Sequence, residues 1–272
     1  MEIQVLGPLS AQATAGSIVP SAGKPRQILA LLALHANQVV PAHTLMEELW
    51  DADIPRSGLT TLQTYILHLR RLLGSALGPD PVFGAKDVLA TRHGGYLLHV
   101  QPGGVDVHEY DRLAELGRDA ADACDDESAA LIYREALAVW RGPALVDVKV
   151  GPVLEIELAR LEESRLRVLE RRIEADLRLG RHADLVAELT SLIVRHPLHE
   201  GLHAQCMAAL YRSGRQWHAL EVYHSLRGRL VEELGLEPSQ RLRKLHQAIL
   251  AADPVLDVPV IGQQPILDLF AA

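Results

Sequence analysis

Between Ser57 and Gly74 the chain sets Leu59, Leu62, Ile66, Leu69 and Leu73 at steps of 3, 4, 3 and 4 residues. A stripe with that period predicts an α-helix laid along a core. At roughly 100° per residue, the opposite face carries Thr60, Thr61, Thr64, His68 and Arg71, flanked by Gln63, Tyr65, Leu67 and Arg70. Ser57 suits the N-cap and Gly74 the residue just past the end. The helix contains no Asp or Glu. Thr, Gln, His and Arg can meet phosphates and base edges, and the major groove of DNA admits one such helix. In an isolated helix the same face is more often simply solvated, so the neighbouring elements decide.

Those neighbours are informative. Gly78-Pro79-Asp80-Pro81 reads as a turn. Val88-Leu89-Ala90-Thr91 and Tyr96-Leu97-Leu98-His99-Val100 then read as two strands around Arg92-His93-Gly94-Gly95, a hairpin with a Gly-Gly turn and an arginine at its tip. Upstream, residues 2–19 carry short strand signals around Gly7-Pro8. A densely apolar helix follows Pro25, with Ile28, Leu29, Leu31, Leu32 and Leu34, and Val39-Val40-Pro41 breaks it. A second short helix spans 43–50. A helix-turn-helix followed by an Arg-tipped hairpin is a winged helix, with the helix in the major groove and Arg92 reaching the adjacent minor groove.

Charge is divided along the chain. Of 272 residues, 27 are Lys or Arg and 35 Asp or Glu, a net of −8 that does not favour DNA. Residues 56–98 reverse this: Arg56, Arg70, Arg71, Lys86 and Arg92 face only Asp80 and Asp87, a net of +3. A small DNA-contacting surface joined to an acidic protein-facing region has this pattern, and so does an ordinary helical protein.

From Val105 to about Asp253 the sequence reads as successive helices, beginning near 106–116, 129–140 and 155–179. Arg160, Arg165, Arg167, Arg171 and Arg172 interleave with Glu155, Glu157, Glu162, Glu163 and Glu170, which predicts ion pairs on a solvated face rather than a nucleic-acid patch. Shifted by 34 residues, Arg178, Gly180, Arg181, Ser191 and Leu192 fall on Arg212, Gly214, Arg215, Ser225 and Leu226. Thirty-four is the tetratricopeptide period, and such arrays present surfaces for protein segments. The other reading is a plain helical bundle.

Several chemistries are disfavoured. His199-Glu200-Gly201-Leu202-His203 has the HExxH spacing of zinc hydrolases. Gly201 weakens the helix that would hold both ligands, and the first helix of the second repeat needs its other face for packing. No phosphate-binding G-x-x-x-x-G-K-[ST] loop occurs among the four lysines. Cys124 and Cys206 lie 82 residues apart with no signature around either and read as buried thiols. Aromatics make up 4% of the chain, too few for stacking platforms. No apolar run approaches the roughly 20 residues that span a bilayer, and the start, Met-Glu-Ile-Gln-Val, lacks the basic region of a signal peptide.

Leu62-Gln63-Thr64-Tyr65 followed by Leu69-Arg70-Arg71-Leu72, the opening Val5-Leu6-Gly7-Pro8-Leu9 and the Arg-x-Gly-Gly-Tyr hairpin resemble the OmpR-type winged helix of the Streptomyces antibiotic regulatory protein family. Trp140-Arg141-Gly142, His196-Pro197-Leu198, Ala209 to Arg215 and Glu233 to Pro238 resemble the bacterial transcriptional activation domain that follows it there. The resemblance implies a mainly α chain with a small β component. A winged helix-turn-helix (1–104) precedes an all-α tetratricopeptide-like array (105–252) and a tail (253–272).

It also implies a sequence-specific transcriptional activator of antibiotic or other secondary-metabolite genes. Its partners would be direct repeats in double-stranded promoter DNA and the RNA polymerase holoenzyme, and it would act as a homodimer or side-by-side dimer. The implied location is the cytoplasm, at the nucleoid, with no membrane, metal, cofactor or catalytic residue. Thr60, Thr61, Thr64, Tyr65, His68 and Arg70 match DNA-facing places of the recognition helix. His68 departs from the arginine common there. Gln63 and Arg71 join this surface, Arg92 sits on the wing, and Lys24 and Arg26 are candidate phosphate contacts. The alternatives are an adaptor in which the winged helix binds protein, and the zinc hydrolase.

Overall fold

The computed structural model describes residues 1–77 and 84–257. The Gly78–Pro81 turn and most of the tail lie outside the described residues. The chain divides into two compact units that do not follow its order: Met1–Leu113 with Glu135–Leu166, and Ala114–Arg134 with Arg167–Ala272.

The first unit opens with a three-stranded antiparallel sheet, β1 (Glu2–Gln4), β2 (Ser10–Ala13) and β3 (Gly16–Ser17), in that order. Helix α1 (Gly23–Leu34) follows, buried without interruption from Gln27 to Ala33. A helix apolar on every side belongs inside a core. Then come β4 (Val39–Pro41), α2 (Ala42–Trp50), α3 (Gly58–Leu77), α4 (Ala85–Val88), β5 (Leu89–Arg92) and β6 (Gly95–Leu98). The helix predicted to stop at Gly74 continues one turn further, with Ala76 still packing inside.

Residues 39–41, read as a break, are a strand. The second sheet runs β4-β6-β5, antiparallel throughout, and Tyr96 pairs with Val40 on one side and Thr91 on the other. Gly95 is a strand residue. A Cβ there would come within 2.3 Å of Val40 O, so only glycine lets β4 approach. The turn itself is His93-Gly94, with Gly94 at φ +76°.

The remainder of this unit comes from beyond residue 104. Helices α5 (Asp106–Asp122), α6 (Asp126–Ala138) and α7 (Pro152–Arg178) each begin or end in it. Asp106 accepts the N–H groups of Val5 at 2.8 Å and Leu6 at 3.0 Å. Arg141 N–H donates to Leu6 O at 2.8 Å, and Leu145 N–H to Gly7 O at 2.7 Å. The Val5–Leu9 and Trp140–Gly142 motifs, far apart in sequence, therefore bond one another. Glu48 of α2 is buried, and it accepts the N–H groups of Gly151 at 2.6 Å and Leu154 at 2.9 Å, capping the start of α7.

The second unit holds α8 (His182–Arg195), α9 (Glu200–Arg212), α10 (Gln216–Leu234), α11 (Gln240–Ala251) and a 3-10 turn at Pro254–Leu256. Helix α9 is buried at every position from Leu202 to Leu210 and packs against both α8 and α10. The predicted repeat is visible in the backbone. Gly180 and Gly214 sit at φ +76° and +74°, and the next residues, Arg181 and Arg215, donate back to Asp176 O and Leu210 O. Cys124 and Ala252 adopt the same left-handed conformation, with Asp125 bonding Ala120 O and Asp253 bonding Ala248 O. Four helices, α5, α7, α9 and α11, thus end in one closure. The solvated Arg/Glu face expected on α7 holds for Arg160–Glu157 and Arg165–Glu162. Arg172 departs from it: the residue is buried, and it pairs with Asp176 and Glu188.

Candidate nucleic-acid interface

The inner side of α3 consists of Gly58, Leu62, Ile66, Leu69, Leu73 and Ala76. Leu59, expected inside, is 50% exposed. The first inward position is taken by Gly58, where an added Cβ would lie 3.0 Å from the Ile54 side chain and 3.5 Å from Met46 Sδ. Thr60, Gln63, Thr64, His68 and Arg71 are exposed, and Thr61 and Tyr65 half-buried. Thr64 Oγ1 donates to Thr60 O at 3.0 Å, a bond between successive turns of the helix. These side chains share one face and include no carboxylate.

Leu67 stands among them, 47% exposed. Sequence reasoning placed it beside the face without giving it a role. Its angular position between Gln63 and Arg71 was the available signal.

Arg70 is placed differently from its neighbours. Its Nε donates to Leu89 O at 2.9 Å and its Nη2 to Thr91 Oγ1 at 2.8 Å, so the guanidinium ties α3 to the first strand of the hairpin. Burial pushes the Tyr96 phenol above its ordinary range, and the positive charge of Arg70 opposes that shift. Arg92 is exposed on β5, with Nη2 3.5 Å from His99 Nε2. The α3 face and Arg92 are thus held on one framework, and Arg70 links them.

Lys24 and Arg26 have partners inside the unit. Lys24 Nζ lies 4.6 Å from the centre of the Trp50 ring. Arg26 is paired with Asp147, whose other oxygen accepts the Leu9 N–H at 2.7 Å.

In the HExxH string the three side chains have separate duties. His199 caps α9, its Nδ1 accepting the Leu202 N–H at 3.3 Å and lying 3.5 Å from Glu170 Oε1. Glu200 accepts the Ser239 N–H at 3.1 Å. His203 is buried, with Nδ1 3.0 Å from His199 O, and burial pushes its imidazole below the ordinary value. Burial pushes the Cys206 thiol up to about 12, whereas Cys124, expected to be buried as well, is exposed at the turn that closes α5. Among the described residues, no group of three or more His, Cys, Asp or Glu side chains is arranged to hold a metal ion. Among the same residues, no helix is long and apolar enough to cross a membrane.

Known proteins match both parts. Residues 105–250 match the family described as bacterial transcriptional activator domain, and residues 17–98 the family described as transcriptional regulatory protein, C terminal. The regulatory protein DnrI of Streptomyces peucetius is 55% identical over 257 residues, covering 94% of each chain. The transcriptional regulator RedD of Streptomyces coelicolor is 38% identical over 95% of this chain and 73% of its own. The regulatory protein AfsR of Streptomyces griseus is 38% identical over 97% of this chain, which spans 26% of that longer protein. Among solved structures, Mycobacterium tuberculosis EmbR, in complex with a low-affinity phosphopeptide, superposes with a TM-score of 0.85. Its sequence is 31% identical, and the match covers 93% of this chain and 66% of EmbR. With both parts matched in this order, and one relative matched along nearly the whole of both chains, the chain belongs to the Streptomyces antibiotic regulatory protein family of transcriptional regulators, a DNA-binding winged helix followed by a bacterial transcriptional activator domain.

Proposed function

We propose that the chain activates a secondary-metabolite gene cluster by binding direct repeats in promoter DNA. Helix α3 enters the major groove through Thr60, Thr61, Gln63, Thr64, Tyr65, His68 and Arg71, and Arg92 reaches the neighbouring minor groove. The observation that carries this reading is the exposed, carboxylate-free face of α3, bonded through Arg70 to the strand that bears Arg92. Arg70 is a positioning residue, because its Nε and Nη2 are committed to Leu89 and Thr91. Lys24, whose partner is the uncharged Trp50 ring, adds positive charge near the phosphates, and Arg26, its charge balanced by Asp147, contributes as a hydrogen-bond donor there. Two copies bind side by side on the repeats, and the second unit contacts RNA polymerase holoenzyme, as helical arrays do with protein segments. The protein works in the cytoplasm, at the nucleoid.

Fluorescence anisotropy of the full chain on its own cluster's promoter and on scrambled duplex, across a salt series, tests this. The reading expects a preference for the promoter of at least about 10³-fold at moderate salt, together with a steep loss of affinity as salt rises. Equal affinity for both duplexes across the series overturns it.

A further inference from the structure

Leu67 is 47% exposed in the middle of α3, on a face otherwise made of Thr60, Gln63, Thr64, His68 and Arg71. It is not part of the core, because the inward positions of the helix are Leu62, Ile66, Leu69 and Leu73. Its place matters because Thr64 and Arg71 lie near the midline of that face and Leu67 is within one helical step of both. A side chain there must enter the groove whenever they do.

Leucine has no donor or acceptor. Against a phosphate, or against the N7 and O6 acceptors of guanine, it would displace water and return no hydrogen bond, which is unfavourable. One feature of the major-groove edges accepts an apolar partner, the C5-methyl group of thymine. Single exposed leucines are common on protein surfaces and carry no meaning by themselves. This one is distinguished by its position among the groups that would read bases.

We infer that Leu67 is a specificity-determining residue that packs on the C5-methyl group of one thymine in each half-site. The inference rests on the DNA-binding reading above. It adds a base preference that the hydrogen-bonding side chains do not supply. Deoxyuridine is the matching probe, since it keeps the pairing and the O4 acceptor and removes only the methyl.

The test uses the full chain and a duplex selected by it from a random library. Each thymine is replaced in turn by deoxyuridine, and binding is measured for the native chain, Leu67→Ala and Leu67→Met. At one thymine per half-site, the native chain should lose about fourfold in affinity, the loss that goes with one buried methyl. Leu67→Met should keep that sensitivity, and Leu67→Ala should bind the thymine and deoxyuridine duplexes equally. A native chain sensitive to deoxyuridine at some position, with Leu67→Ala unchanged in that sensitivity, overturns the role of Leu67 and leaves the DNA-binding reading standing. So does a native chain that binds its selected duplex specifically and ignores every replacement. Failure of the library to yield any preferred sequence overturns both. Matching melting temperatures for the three proteins establish that the differences arise at the DNA.

Discussion

Glu48 and Gly151 lie on distant stretches of sequence, yet Glu48 Oε1 accepts the Gly151 N–H at 2.6 Å, and its second oxygen takes the Leu154 N–H at 2.9 Å. One side chain of the helix-turn-helix therefore satisfies the first donors of α7 from inside the unit. Glu48→Ala strands both N–H groups and should destabilise the protein by about 1–3 kcal/mol, read as a shift in the urea midpoint.

The same carboxyl sets a pH dependence. Burial raises its pKa above 4.5 despite the backbone donors, so the folded state holds the proton more tightly than the unfolded state. Its contribution is fully present below the unfolded value and is lost as pH rises through the folded one. The stability of the native chain relative to Glu48→Gln should therefore fall as pH rises from about 4. Thermal melts of the two proteins at matched pH check this, and parallel curves would contradict it.

His203 acts in the opposite direction. Burial lowers its pKa below 6.5, so its contribution is present above that value and is lost as pH falls through the lower folded value. Urea midpoints should drop between pH 7.5 and about 5, and His203→Gln should flatten that part of the profile.

The shared helix closure makes a backbone prediction. Cys124 and Ala252 hold the left-handed conformation that Gly180 and Gly214 occupy at the equivalent ends. A side chain there costs about 1–2 kcal/mol, offset in part by the greater chain entropy of glycine when unfolded. Cys124→Gly and Ala252→Gly should each raise stability by about 0.5–1 kcal/mol, and Gly180→Ala should lower it by about 1 kcal/mol. Differential scanning calorimetry reads all three.

Arg70 separates positioning from contact. Arg70→Ala should cost about 1–2 kcal/mol of stability through Leu89 and Thr91, and should weaken binding to all duplexes alike. Thr91→Val removes one of the two bonds and should reproduce part of the loss. An Arg70→Ala protein with native stability and altered base preference would assign Arg70 to a base instead.

What the sequence revealed depended on range. The apolar period of α3, the hairpin and the Gly180–Gly214 correspondence are local, and local patterning is legible. Leu59 misled because the inward place in the first turn belongs to Gly58, which has no apolar side chain to mark it in a periodicity. β4 is three residues long and exists through its pairing with β6, so its apolar residues looked like a break. The closures at Cys124 and Ala252 were hidden because neither residue advertises a positive φ. Of the candidate interface, the exposed face could be read from angular position. The bonds of Arg70 to Leu89 and Thr91, and the pairing of Arg26 with Asp147, could not, because they join segments whose approach is decided by the fold.

The bonds that Val5, Leu6 and Gly7 make with Asp106, Arg141 and Leu145 bear on how regulators of this kind can be recombined. A splice placed just before residue 105 separates the turn that follows β1 from the groups that satisfy its backbone, and each stranded N–H or C=O is a local defect. A chimera that takes a new DNA-reading portion from a relative should therefore take residues 135–166 from the same parent. The tolerable crossover points lie in the second unit, so what is inherited as one block is larger than what touches DNA.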